Sequence, residues 1–77
     1  MPLSEYDKAH VGDILDGSGD WYSAFTLRFL NKIYFKADTI NKRKLWAVFS
    51  EEIIALLHYN NWPEADIRAE ANLYAYH

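Results

Sequence analysis

The sequence lacks cysteine altogether, and it holds only one methionine, two prolines and three glycines in 77 residues. Without cysteine the protein has no disulfide bond, no thiolate metal ligand and no cysteine nucleophile, which fits a reducing cytosol. No stretch of about 20 apolar residues is present for a membrane span, because Arg28, Lys32 and Lys36 interrupt the most hydrophobic stretch. The stretch MPLSEYDKAH has no basic region followed by an apolar run, so we expect no secretory signal and a cytoplasmic protein.

Aromatic residues are abundant instead: three tryptophans, six tyrosines and four phenylalanines make up 17% of the chain. A chain of this length is expected to form one domain, residues 1–77, with a small core and a high surface-to-volume ratio. Large aromatic side chains bury much area per residue and can hold such a small core together. Self-association would be a second way to do so, and the sequence leaves the oligomeric state open.

The spacing of apolar residues predicts an all-α domain, a compact bundle of four to five short helices, with no convincing pair of strands. Ser4 is placed to cap the first helix. The glycine-rich turn 17–19 ends that helix, because glycine adopts the left-handed conformation that follows many helices. The second helix begins after Ser18 or Asp20 and runs to about Ala37.

The third predicted helix runs from about Ile40 to Phe49, with Asp38 or Thr39 as its N-cap. The apolar run LWAVF within it would also suit a short buried strand, because five residues are too few to separate the two periods. The polar and charged residues on either side of this run favour a helix.

Two further helices complete the prediction. Ser50 caps a short buried helix that includes residues 53–57 and ends near residues 59–61, and the acidic residues after Ser50 complement the helix dipole. Pro63 suits the first position of a last helix that extends to about Tyr76. Its apolar stripe consists of Ile67, Ala71 and Tyr74.

The second helix is apolar on more than one side. At ~100° per residue, one arc is predicted to face the core. The residues of that arc are Tyr22, Thr26, Phe29, Leu30, Ile33 and Ala37, with Leu27 and Tyr34 on its flank. The opposite side mixes aromatic and basic residues, namely Trp21, Phe25, Arg28, Lys32, Phe35 and Lys36. A helix that only supports the fold needs no aromatic residues on a second face, although Trp21 would serve equally well as a core anchor.

Basic residues are concentrated in one part of the chain. Residues 28–44 contain six of the eight lysines and arginines and a single acid, Asp38, for a net charge of +5, whereas the rest carries −8. One interpretation is a solvated helix face whose charges are balanced across the fold. The other is a basic patch that binds an acidic partner.

The sequence contains no motif that is typical of a catalytic or metal-binding site. His10, His58 and His77 are far apart, and no serine lies in a nucleophile-elbow motif. The stretch DGSGD is similar to the start of a calcium loop, but the sixth and twelfth positions hold Trp21 and Leu27 instead of glycine and glutamate. We therefore expect no enzyme activity, no metal site and no cofactor.

Two functional hypotheses remain. The first is a protein-binding domain, because aromatic and arginine side chains dominate the energetics of interfaces. Its predicted partner-binding residues are Trp21, Phe25, Arg28, Lys32 and Lys36, and the same face could form a homodimer. The alternative is a nucleic-acid-binding accessory protein that uses residues 28–44, since basic residues interleaved with aromatics can follow a phosphate backbone and stack on bases. The net acidic charge argues against this alternative.

The pattern GDWYSAFTLRFL…KAD…NKRKL…FSEE resembles a family of small proteins encoded by phages and prophages. The matching positions are Gly19, Asp20, Trp21, Tyr22, Ala24, Leu27, Arg28, Leu30, Lys36, Ala37, Asp38, Asn41, Leu45, Phe49, Glu51, Glu52 and Ile53. The chain departs from the family pattern by four extra residues, about one helical turn, between Arg28 and Lys36, and by Ser50 in place of a proline. The resemblance implies a gene of a phage or mobile element expressed inside a bacterial cell, and a protein that binds host or phage proteins.

Overall fold

The computed structural model describes residues 9–15 and 24–75. These residues form four α-helices, which we name α1 (Val11–Leu15), α2 (Ala24–Ile33), α3 (Thr39–Tyr59) and α4 (Glu64–Tyr74), and a 3₁₀ turn, Tyr34–Lys36, directly after α2. No strand occurs in the described residues, and the predicted all-α class is confirmed. The predicted cap at Ser4, the turn at 17–19 and Trp21 lie outside the described residues.

The segment between α2 and α3 ends one helix and begins the next within a few residues. The last turn before it, Tyr34–Lys36, is a tighter 3₁₀ turn, and Ala37 is extended. Asp38 then caps α3, because its carboxylate accepts a hydrogen bond from the backbone N–H of Asn41 at 2.8 Å. The predicted end of the second helix and the predicted cap at Asp38 are therefore confirmed, and α2 and α3 form an αα-hairpin.

Helix α3 consists of two helical stretches that meet at a bend, where the sequence predicted the boundary between two helices. The bend is at Phe49, whose backbone angles of φ −120° and ψ 35° are not helical. The predicted boundary at Ser50 is thus one residue away from a real change in direction, but the chain resumes the helix at once. Residues 45–48 are helical and Phe49 forms the bend, so the alternative of a short strand is wrong.

The end of α3 is fixed by a Schellman motif. The backbone N–H of Trp62 donates to the carbonyl of Leu57 at 3.1 Å, and that of Asn61 donates to His58 at 3.0 Å. Asn61 has a positive φ of 63°, which asparagine tolerates better than most residues. Pro63 then takes the N-cap position of α4, and the helix begins at Glu64 rather than at the proline itself.

The main core lies where α2, α3 and α4 meet. Its buried residues are Leu30, Tyr34, Trp46, Ile53, Leu56, Leu57 and Ile67, and a second small cluster joins Ile14 of α1 to Leu27 of α2. The stripe predicted for α4 is confirmed, because Ile67 is buried and Ala71 and Tyr74 pack against the main cluster.

The predicted core face of α2 needs a correction. Phe29 was expected to face the core, but 43% of its surface is exposed, whereas Leu27 and Tyr34, expected on the flank, are fully buried. The reason is that α1 packs on Leu27 and α3 packs on Leu30 and Tyr34, so the buried stripe lies on one side of the predicted arc. Phe29 therefore lies on the solvent-facing side with Phe25.

Glu52 is a buried acid in α3, three residues after the bend, and only 7% of its surface is exposed. Burial disfavours the charged carboxylate and raises the pKa of Glu52 above its ordinary value of 4.5. Because the folded-state pKa is raised, the stability that comes from protonated Glu52 is fully present below pH 4.5. It is lost as the pH rises through the folded-state pKa.

Glutamine does not ionise, so replacing Glu52 by glutamine removes the loss of stability with rising pH. We expect Glu52→Gln to be more stable than the wild type at pH 7 and equal to it near pH 4, because protonated glutamate and glutamine are alike in charge. Urea-unfolding midpoints measured for both proteins between pH 4 and pH 8 would check this. A difference between the two proteins that does not change with pH would contradict it.

Candidate binding surface

The solvent-facing side of α2 carries two exposed aromatic rings. Phe25 is 82% exposed and Phe29 is 43% exposed. Their rings are nearly parallel, with an interplanar angle of 4° and a centroid distance of 6.3 Å. Two adjacent large apolar side chains in water are unusual in a chain with so small a core, and they mark a surface that gains free energy when it is covered.

Two lysines continue this surface toward the end of α2. Lys32 and Lys36 are both exposed: Lys32 lies within the same arc of α2 as the two rings, at ~100° per residue, and Lys36 follows in the 3₁₀ turn. We call Phe25, Phe29, Lys32 and Lys36 the aromatic-basic stripe. Phe25, Lys32 and Lys36 are three of the five residues predicted to bind a partner, and their exposure is what such a role requires. Trp21 lies outside the described residues, so its placement stays a prediction.

Arg28, the remaining predicted residue, is directed partly into the protein. Its Nε–H donates to the backbone carbonyl of Ile14 at 2.9 Å, and the side chain is half-buried. That carbonyl belongs to the last turn of α1, where helices have unpaired acceptors and favour positive charge. Arg28 therefore ties α2 to α1, and its Nε is already used within the fold.

A groove separates the end of α2 from the start of α3. Its volume is about 450 Å³. It is lined by Ile33, Lys36, Ala37, Asn41, Lys44 and Leu45. We call it the hairpin groove. Lys36 belongs both to its rim and to the aromatic-basic stripe, so the two features are continuous, and no acidic residue lines it.

The basic segment 28–44 divides into residues that face inward and residues that face solvent. Lys42 faces inward: its Nζ lies 3.4 Å from Glu70 Oε1 and over the rings of Tyr34 and Tyr74, at 5.1 and 5.3 Å from their centroids. With Arg28 it makes two inward-facing cations. The exposed cations of the segment are Lys32, Lys36, Arg43 and Lys44.

A buried hydrogen-bond network connects the hairpin of α2 and α3 to α4. The indole Nε1–H of Trp46 donates to the Tyr34 hydroxyl at 2.8 Å, and that hydroxyl donates to Glu70 Oε1 at 2.7 Å. Burial, together with the bond to the Glu70 carboxylate, raises the pKa of Tyr34 well above its usual range. The network joins the 3₁₀ turn, α3 and α4.

Sequence reasoning missed this network. It placed Tyr34 on the flank of a helix and assigned Glu70 no role. The available signal was chemical: buried tyrosine and tryptophan carry polar tips that require partners, and a predicted core residue of either type implies a polar group nearby. The sequence did not indicate which acid would supply it.

A second cleft, of about 620 Å³, lies between α1 and the second half of α3. Its lining includes Val11, Ile54 and Ala55 with the polar side chains of Glu51, His58 and Tyr59. The imidazole Nε2 of His58 is 3.5 Å from a carboxylate oxygen of Glu64. Across residues 9–15 and 24–75, no group of three or more histidine and acidic side chains is placed to hold a metal ion.

In the same described residues, none of the helices combines the length and apolar character that crossing a bilayer would require. No protein-family model, curated protein or solved structure matches the chain.

Proposed function

We propose that this protein has no catalytic activity of its own and acts by binding a protein partner through the aromatic-basic stripe. The observation that supports the proposal is the 82% exposure of Phe25, stacked on Phe29 and followed along the same face by Lys32 and Lys36. Two aromatic residues, a type that is enriched in the cores of interfaces, thus lie on one solvent-facing helix surface with charged residues at its end.

The energetics favour the aromatic rings as the anchors of binding. Burying a phenylalanine side chain fully is worth about 1.5–3 kcal/mol, and Phe25 retains most of this gain because it is so little covered in the free protein. Exposed lysine–carboxylate pairs contribute at most about 1 kcal/mol each. We therefore assign affinity mainly to Phe25 and Phe29, and orientation and association rate to Lys32 and Lys36.

The resemblance to small phage and prophage proteins supplies the biological setting of the proposal. The partner would be a host or phage protein, met in the cytoplasm of a bacterial cell. If the stripe instead pairs with a second copy of this chain, the protein would be a homodimer with the same residues at its interface.

Nucleic-acid binding is the second candidate, and the four exposed cations of residues 28–44 are the observation that favours it. Arg28 and Lys42 are engaged within the fold, which leaves fewer phosphate contacts than the sequence suggested. Binding of this kind would weaken steeply with salt. The absence of a gel shift with single- or double-stranded DNA or RNA at low salt would remove this candidate.

The test is capture of a partner by the tagged protein from lysate of a bacterial host, with and without nuclease, read by mass spectrometry. We expect at least one protein to be retained after nuclease by the wild type and lost by Lys32→Glu with Lys36→Glu, a variant that changes only exposed side chains. Light scattering on the purified protein reports whether it self-associates.

The matched control is Arg43→Glu with Arg68→Glu, which changes the net charge by the same amount at two exposed positions outside the stripe. This variant should retain the partner. Capture by the Lys32/Lys36 variant at wild-type strength would show that the stripe is not the binding surface. Loss of all captured material with nuclease would favour nucleic acid.

A further inference from the structure

We propose that the partner's contact element is an acidic amphipathic α-helix, and that it lies along the hairpin groove beside the aromatic-basic stripe. This inference deepens the proposed function and rests on it. It names what occupies the groove, which the exposure of Phe25 alone does not specify.

The shape of the groove suits a helix. The groove follows the junction of two helices, α2 and α3, and its apolar lining residues, Ile33, Ala37 and Leu45, are all half-buried. A third helix laid on such a hairpin completes the packing, with its apolar side chains at three- and four-residue steps as anchors. The exposed Phe29 is four residues before Ile33, and the 71% exposed Val48 is four residues after Lys44, so each adds apolar area next to a lining residue.

The charge around the groove selects an acidic occupant. Lys36 is on the α2 side and Lys44 on the α3 side, and Lys32 lies one helical turn before Lys36. The lining contains no aspartate or glutamate. A helix with carboxylates on the two flanks of its apolar stripe would place negative charge against both rims, because side chains three and four residues apart share a face.

A helix fits this site better than an extended peptide or a nucleic acid. A peptide that binds as an added β-strand needs a sheet edge to pair its backbone, and the described part of the chain has no strand, whereas a helix satisfies its own backbone hydrogen bonds. Among the described residues, the exposed cations of the stripe and of the groove lining are Lys32, Lys36 and Lys44. Three phosphate contacts support only weak binding, and the apolar floor would remain without a matching group.

The probe is a fluorescein-labelled synthetic peptide of about 15 residues, which spans roughly 22 Å as a helix. It carries leucine at three- and four-residue steps, with glutamate flanking the leucines and alanine elsewhere. Two control peptides have the same leucines redistributed around the helix, or lysine in place of every glutamate. Fluorescence anisotropy at low salt measures binding to the full chain.

We expect that, of the three peptides, only the acidic amphipathic one binds saturably. Lys44→Glu should weaken it about tenfold, because Lys44 lines the groove but lies outside the stripe. Arg43→Glu is the matched control: it reverses the charge of the neighbouring exposed residue, which is not part of the groove lining, and should leave binding within twofold. Circular dichroism of both variants confirms that the fold is retained.

Other outcomes overturn the inference. Equal binding of the redistributed peptide would show that charge alone attracts the probe, and tighter binding of an oligothymidine of similar length would point to nucleic acid. If the Lys32/Lys36 variant loses its cellular partner while the acidic peptide shows no saturable binding, the groove inference is wrong and the proposed function stands. If the Lys32/Lys36 variant keeps its partner, the proposed function fails as well.

Discussion

Replacing Trp46 by alanine is expected to remove a large share of the free energy of unfolding. Trp46 is 2% exposed and lies in the main core between α2, α3 and α4. Truncating a buried tryptophan to alanine costs about 3–5 kcal/mol. A domain of this length has a total stability of only about 4–12 kcal/mol, so the loss removes much of the free energy of unfolding.

Thermal and urea unfolding, followed by far-ultraviolet circular dichroism, measure this effect. Val48→Ala is the matched control, because it also truncates an apolar side chain of α3 but at an exposed position. It should change the free energy of unfolding by less than about 0.5 kcal/mol. A Trp46→Ala protein within about 1 kcal/mol of the wild type would show that the core does not depend on this indole.

Tyr34→Phe is expected to destabilise the protein by about 1–3 kcal/mol, although it removes a single oxygen atom. That oxygen accepts from Trp46 Nε1 and donates to Glu70 Oε1. Its removal leaves the indole N–H without its acceptor, and within the described residues it leaves the Glu70 carboxylate with Lys42, at 3.4 Å, as its remaining hydrogen-bond partner. Buried polar groups that lose their partners pay the full cost of their desolvation.

A double-mutant cycle tests the assignment. In a Trp46→Phe background the indole N–H is already absent, so Tyr34→Phe removes a partner only from the Glu70 carboxylate. The loss in free energy of unfolding caused by Tyr34→Phe should therefore be smaller there than in the wild type. Additive effects would show that the hydroxyl and the indole are not coupled. The control cycle combines Tyr34→Phe with Phe25→Ser in place of Trp46→Phe. Its effects should be additive, because Phe25 lies on the exposed face of α2.

The raised pKa of Tyr34 gives this prediction a second readout. Stability that comes from a neutral buried tyrosine is present below the ordinary pKa of 10.0 and is lost at higher pH, because only the unfolded state then ionises readily. Unfolding midpoints of the wild type should therefore fall more steeply above pH 10 than those of Tyr34→Phe. Parallel pH profiles would contradict the burial of this hydroxyl.

Local features of the fold were predictable because their causes are local. The cap at Asp38, the change of direction next to Ser50 and the stripe that includes Ile67 each depend on residues a few positions apart. The buried side of α2 was not predictable in this way. One apolar stripe consists of Leu27, Leu30 and Tyr34, and a second includes Phe29 and Ile33. Hydrophobic periodicity supports either stripe as the buried face. Only the positions of α1 and α3 decide between them.

The candidate site shows the same division. Exposure of Phe25, Lys32 and Lys36 agrees with what their spacing along one helix face indicated. The inward direction of Arg28 and Lys42 does not follow from any spacing, because their partners are Ile14 and Glu70, which are 14 and 28 residues away. A count of charges along the chain therefore overestimated the basic surface, since pairing between distant segments is set by tertiary structure.

The position of the Tyr34 hydroxyl also determines how the molecule opens. It joins residues 12 and 36 positions away, so α4 cannot detach alone without separating Glu70 from its donors and exposing Ile67. The backbone amides of α4 should therefore exchange hydrogen with solvent together with those of the first half of α3, which contains Trp46, in one cooperative event. A protease that requires extended substrate would find this last helix as resistant to cleavage as the centre of the protein.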